Sequence, residues 1–246
     1  MTGPWRLLEG PSGVLRCYST ALSPTDGGAT LVLAHELPLV VRSAADTGRT
    51  FPALADRLAE ESGWRVVTAT LRGAGGSEGD FSVRGWLEDL AFVTAHEIGD
   101  EPLWMAGFGL GGAMALRLAA GEENIRGVAS MGTAIDLSAW VARPDVVVTR
   151  CRESGVITTP GFPEDLGAWA DDLAALDPLG AAAALGDRSL LVMHGLSDTE
   201  VPVADARALA DVAPGSEIRL IPGAGHWLRA DPRVVATLLG WLERRR

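Results

Sequence analysis

The side chains able to do chemistry in this chain sit at the ends of short apolar runs. Leu103 to Gly107 leads into Phe108-Gly109-Leu110-Gly111-Gly112 and then into a helical pattern. A strand, a tight glycine turn and a helix in that order form the setting that presents a nucleophilic serine, on the pattern Gly-x-Ser-x-Gly. The central position here is Gly109, which has no side chain to offer. Polar groups follow other apolar runs in the same way. His35-Glu36 comes after Leu31 to Ala34, and Arg72 to Ser77 come after a run ending at Thr70. His194 and Asp198 follow Leu190 to Met193, and His226 follows Pro222-Gly223-Ala224-Gly225. Imidazoles and carboxylates are the groups that move protons near neutral pH.

The elements that must position these groups alternate along the chain. Strands are expected at 14–20, 30–34, 65–70, 103–107, 127–131, 190–194 and 217–221. Several are continuous apolar runs, as strands covered on both faces should be. Amphipathic stretches lie between them at 51–62, 83–95, 110–120, 204–212 and 232–244. This alternation builds an α/β domain with a mostly parallel sheet and helices on both faces. Residues 135 to 186 break the rhythm and hold Pro144, Pro160, Pro163 and Pro178. They read as a short cap inserted over one edge of the sheet, within one domain spanning 1–246. In open parallel sheets a binding site forms at the C-terminal strand ends, where the polar groups above collect.

Taken together, the motifs resemble the α/β-hydrolase family. The stretch HGLSDTEVP (194–202) is similar to that family's acid loop, and PGAGHWL (222–228) to its histidine loop. LRGAGGSEG (71–79) resembles its arginine-glycine turn and GFGLGG (107–112) its nucleophile elbow. The order elbow, acid, histidine is the one this fold uses, and the resemblance covers nearly the whole chain. It implies that Asp198 is the carboxylate that orients His226, and that His226 is the base. It also implies that the N–H of Leu110 donates to an oxyanion, with Phe108, His35 and Trp227 around the oxyanion region and pocket. Residues 161 to 179 are similar to the insertion of short bacterial members of dienelactone-hydrolase-like type.

The chain departs from that family at two positions. Gly109 stands where the family has serine, so no acyl-enzyme forms there. His35-Glu36 stands where many members have His-Gly, and a carboxylate beside a developing oxyanion repels it if Glu36 points inward. Serine-esterase activity is therefore expected to be negligible, because triad members act as a unit and each oxyanion donor contributes about 10² to 10³ in rate. Ser77, Ser130 and Thr133 occupy no elbow and read as turn and cap hydroxyls; Cys151 would have to reach the site from the cap. Three functions stay open. One is acid–base chemistry without a covalent intermediate, such as water attack, elimination or isomerisation, with His226 as base and Glu36 as a second acid or base. Another is a pseudoenzyme that binds a small ligand or a partner protein. The third is a serine hydrolase working through an unforeseen residue.

Composition narrows the partners. All 21 basic residues are Arg, and the formal net charge is −11, which disfavours nucleic acid and anionic membrane. The Arg244-Arg245-Arg246 run reads as a solvated helix end. Cys17 and Cys151 have no metal spacing and read as buried apolar residues. No cofactor or metal is expected. The N-terminus shows no hydrophobic leader pattern, so a cytoplasmic protein is expected. A small molecule in a pocket under the cap is the expected partner; the oligomeric state stays open, a homodimer being one option.

Overall fold

The computed structural model describes residues 5–20, 29–40 and 43–245. Its strands are β1 (Trp5–Gly10), β2 (Gly13–Ser19), β3 (Thr30–Ala34), β4 (Arg65–Thr70), β5 (Leu103–Phe108), β6 (Ile125–Met131), β7 (Ser189–Gly195) and β8 (Ser216–Ile221). Its helices are α1 (Thr47–Ser62), α2 (Val83–Glu97), α3 (Leu110–Gly121), α4 (Ser138–Ala142), α5 (Pro144–Ser154), α6 (Leu166–Ala174), α7 (Pro178–Ala183), α8 (Val203–Asp211) and α9 (Pro232–Glu243). The strands make one sheet in the order β1-β2-β4-β3-β5-β6-β7-β8. The β1–β2 hairpin is antiparallel and β2 runs antiparallel to β4; every other pairing is parallel.

Burial explains the strand choice. Every residue of β3 is buried, as are all of β4 but Arg65 and all of β5 but Trp104. Such runs satisfy their backbone only inside a sheet covered on both faces. One face carries α1 and α9, packed through Phe51, Leu58, Val235, Leu238 and Trp241. The other carries α2, α3, α7 and α8, whose core includes Trp86, Leu90, Met114, Leu116 and Leu209. Helix ends follow local chemistry: Ser82 accepts from the N–H of Gly85 at the start of α2, and Asp231 from that of Arg233 at the start of α9.

β3 pairs with β4 on one side and β5 on the other, with Ala34 opposite Gly107. The chain order reverses between these two strands, which opens a crevice beyond their C-terminal ends. Glu36 leaves β3 and Gly109 leaves β5 at that crevice.

Residues 135–186 divide into two parts. Helices α4, α5 and α6 pack on one another, and α6 rests on α2, while α7 packs on α3 and α8 in the helical layer. The first part is tied to the turn after β4. Asp80 accepts from the N–H groups of Thr158 (2.6 Å) and Thr159 (3.0 Å), and the indole of Trp169 donates to the carbonyl of Phe81. At the other end of the chain, Arg244 and Arg245 bond to Glu217 on β8, while Arg246 lies outside the described residues.

Candidate active site

The loops after β7 and β8 bring Asp198 and His226 together. The N–H groups of Leu196 and Ser197 donate to the carbonyls of Ile221 and Ala224, which holds one loop against the other. Asp198 is almost wholly buried, with 1% of its side chain exposed. Its Oδ1 accepts from the N–H groups of Glu200 (2.8 Å) and Val201 (3.0 Å), and its Oδ2 lies 2.9 Å from Nδ1 of His226. Burial pushes this carboxyl up, but the two backbone N–H groups and the imidazole outweigh burial and hold it below the usual carboxylate range. An ionised carboxylate can only accept, so Nδ1 of His226 carries the proton and donates it. The bare nitrogen is then Nε2, turned away from Asp198.

Gly109 faces that nitrogen. Its backbone, at φ +52° and ψ −123°, lies where residues with a side chain are rarely found. A Cβ on Gly109 would stand 3.9 Å from Nε2 of His226 and 3.2 Å from Cβ of Glu36. The turn is braced from below: the N–H of Gly109 donates to the carbonyl of Met131 (2.8 Å), and the hydroxyl of Thr133 to the carbonyl of Gly109 (3.2 Å). Close approach also matters at Gly111, where a Cβ would lie 2.4 Å from the carbonyl oxygen of His35. Leu110 is the first residue of α3, so its N–H has no acceptor within the helix and sits at the positive end of the helix dipole.

Glu36 borders the same spot but its carboxylate is engaged: it forms an ion pair with Arg229, on the single turn that follows His226. The guanidinium lies over the ring of Trp227, 5.1 Å from its centroid. Burial pushes the Glu36 carboxyl above the usual range and outweighs Arg229, which pulls it down.

The sequence model of the alpha/beta hydrolase fold family matches residues 39–163, just over half of the chain. The chain belongs to that family. Among curated proteins none matches it. Solved structures of similar shape include a thermophilic esterase from Thermogutta terrifontis, with 21% identity, TM-score 0.68 and coverage of 98% of this chain and 99% of that one. A meta-cleavage product hydrolase from Pseudomonas fluorescens IP01 shows 17% identity and TM-score 0.67, covering 98% of both chains. The 2-hydroxy-6-oxo-6-phenylhexa-2,4-dienoate hydrolase from Rhodococcus sp. strain RHA1 shows 17% identity and TM-score 0.66, covering 99% and 100%. These likenesses establish the fold.

Within this α/β-hydrolase fold the remaining sequence-derived candidates are struts. His35 is fully buried, and its Nε2 accepts from the N–H of Leu71 (3.1 Å). Its Nδ1 therefore bears the proton and donates to the carbonyl of Glu36 (2.9 Å), which leaves no ring nitrogen for a ligand. Burial pushes this imidazole down to about 4, so it stays neutral. His194 donates from Nε2 to the carbonyl of Val201 (3.0 Å), which fixes the turn gripping Asp198. Phe108 is buried against Phe51 and belongs to the core. Trp227, by contrast, is 45% exposed beside the His226 ring. Ser77 bonds Thr70 and the N–H of Arg16, and Ser130 bonds Thr133, all within the scaffold. Cys151 is buried and its thiol is pushed up to about 12 by burial, as is that of Cys17, so neither supplies a thiolate.

Arg72 anchors the glycine turn. Its backbone N–H and guanidinium make three bonds of 2.6 to 3.0 Å to Asp89, which is completely buried. Arg229 is the site residue that the motifs do not signal, since its partner is far away in sequence. An open cavity of about 630 Å³ lies elsewhere, between the turn after β4 and the end of α5. Its walls include Gly73, Ser77, Arg152 and Thr158, and none of Gly109, Glu36, Asp198 or His226. Among the described residues no group of three or more His, Cys, Asp or Glu comes together as a metal site. No helix of the described residues is long and apolar enough to cross a membrane.

Proposed function

We propose that this protein is an α/β-hydrolase-fold member whose nucleophile position is vacant at Gly109, and that it acts on a small molecule by proton transfer without a covalent intermediate. In this reading His226, oriented by Asp198, is the general base, and Glu36 is a second acid or base. Leu110 supplies a backbone N–H to developing negative charge. The observation that carries the reading is the pairing of a bonded His226–Asp198 dyad with a bare glycine facing the free imidazole nitrogen. A base so placed accelerates proton abstraction or water attack by about 10² to 10⁴. Glu36 suits the acid role because burial keeps its proton available at higher pH than an exposed carboxyl. Two titratable groups of opposite task then flank one position, which is the arrangement that elimination and isomerisation need.

The reading extends to one domain spanning 1–246 with a cap over 135–186, working in the cytoplasm on a small ligand under the cap. Its kinship is with the short bacterial dienelactone-hydrolase-like members. The test is a product screen by mass spectrometry over small esters, lactones and enolisable ketones, run with wild type and His226→Ala. Product from wild type that disappears in the variant is expected. Equal turnover by both proteins, or covalent labelling of wild type by a fluorophosphonate probe, refutes it.

A second reading is favoured by one feature. The Glu36 carboxylate lies beside the place where an oxyanion would form, an arrangement suited to binding more than to turnover. A ligand that raises the melting temperature of wild type and His226→Ala alike, with no product from either, would decide for this pseudoenzyme reading.

A further inference from the structure

We propose that Arg229 and Trp227 form a subsite for the carboxylate of a small aryl or alkyl acid, at the mouth of the site next to His226. The inference deepens the acid–base reading by naming what the ligand carries, and it rests on that reading only for where the ligand's reacting end lies.

Arg229 offers five N–H donors in a planar fork. Among the described residues its one hydrogen-bond partner is Glu36, through Nη1. The rest of the fork is unclaimed, and 26% of the side chain is exposed. The guanidinium carbon lies 5.1 Å from the centre of the Trp227 ring, a contact that orders it in advance and lowers the entropy lost when an anion binds. Trp227 is also the one tryptophan in the exposed class among the described residues. A cation over an exposed aromatic ring matches a molecule with a carboxylate at one end and an apolar body. A neutral molecule would use the apolar part alone.

Glu36 competes for the same cation, so it tunes the subsite rather than completing it. Its carboxyl is already driven toward the neutral form by burial, which lowers the cost of yielding Arg229 to another carboxylate. No covalent step is involved: an incoming carboxylate takes donors on Arg229, and Glu36 keeps one donor or takes a proton from solvent.

The experiment titrates phenylacetate and phenylacetamide into the whole protein, with binding read by calorimetry or ligand-observed NMR. Phenylacetate is expected to bind at least tenfold more tightly than the amide. Arg229→Gln should weaken it by about ten- to a hundredfold, the range for losing a charged hydrogen bond. Glu36→Gln should tighten it roughly fivefold by removing a partly screened competitor. The double variant Glu36→Gln/Arg229→Gln leaves no unpaired charge behind, and should fold and still fail to discriminate acid from amide. His226→Ala should keep the preference for acid over amide even where turnover is lost, which separates this inference from the proposed chemistry. Equal affinity for acid and amide overturns the proposal, as does undiminished binding by Arg229→Gln.

Discussion

Placing serine at position 109 tests the backbone and the site together. At φ +52° and ψ −123° a residue with a side chain pays a conformational cost of about 1 to 3 kcal/mol. Replacing glycine also stiffens the unfolded chain, which returns about 0.4 to 1 kcal/mol. The new Cβ would stand 3.2 Å from Cβ of Glu36, so that side chain must shift by a few tenths of an ångström. Gly109→Ser is therefore expected to lose roughly 1 to 2 kcal/mol, which for a chain of this length lowers the melting temperature by about 2 to 8 °C. Thermal unfolding followed by circular dichroism measures it. Gly99→Ser separates the causes, because Gly99 also has positive φ (+65°) but a Cβ there meets nothing within 4 Å. It should show a positive-φ cost without any such contact. A double-mutant cycle of Gly109→Ser with Glu36→Gly then isolates the contact. A melting temperature for Gly109→Ser equal to or above wild type refutes the strain argument.

The same variant carries a chemical expectation. A C–O bond extending from that Cβ brings a hydroxyl within hydrogen-bond reach of Nε2 of His226, 3.9 Å away from the carbon, so Gly109→Ser should become labelled by a fluorophosphonate while wild type stays unlabelled; no labelling of the variant would mean that Nε2 is not placed to activate it. His35 sets an acid limit: its folded value of about 4 lies below the ordinary 6.5, so unfolding takes up a proton as pH falls from 6.5 toward 4. Stability is full above that window and drops by up to about 3 kcal/mol across it. Denaturant melts of wild type and His35→Gln at several pH values should show a shallower loss in the variant; parallel curves refute it. Asp89→Ala strands the buried Arg72 charge and should cost about 3 to 5 kcal/mol. Glu88→Ala removes an exposed partner 3.3 Å from Arg72 and should cost no more than about 1 kcal/mol; equal losses would show that Asp89 is not the anchor.

The fold is legible wherever burial imposes a pattern. The bounds of β3 and β4 follow directly from TLVLA and RVVTAT because nearly every residue there is covered. β1 is missed for the opposite reason: WRLLEG is an edge strand with Leu7 70% exposed and Leu8 buried, so its apolar content spells no clear period. Helix α5 contains Val146-Val147-Val148, a β-branched run that local propensity assigns to no helix. Pro144 at its first turn and Gly155 at its end, with φ +92°, close it as a helix. The juxtaposition of Asp198 and His226 is readable because each follows an apolar strand in a parallel sheet. The direction of Glu36 is not, since it is settled by an arginine 193 residues away. The cavity beside Arg152 is equally invisible, being shaped where the end of α5 meets the turn after β4.

Gly109 and Glu36 form one structural unit at the crevice. β3 and β5 are neighbours with Ala34 opposite Gly107, so the residues two steps beyond each of them, Glu36 and Gly109, emerge side by side. The methylene of Glu36 lies 3.2 Å from where a Cβ on Gly109 would be, which is tighter than ordinary packing of two carbons. A side chain at 109 would therefore displace Glu36 by a few tenths of an ångström, while glycine at 109 leaves it where it reaches Arg229. In the proposed reading the site has no hydroxyl to activate at 109 and uses instead a carboxyl tuned by burial against one cation. On that proposal His226 works with Glu36 as the acid, and the Asp198 bond fixes its tautomer. Double substitution at 36 and 109 should consequently behave as a unit. If the stability effects of Glu36→Gly and Gly109→Ser simply add, the two positions are independent and this coupling is wrong.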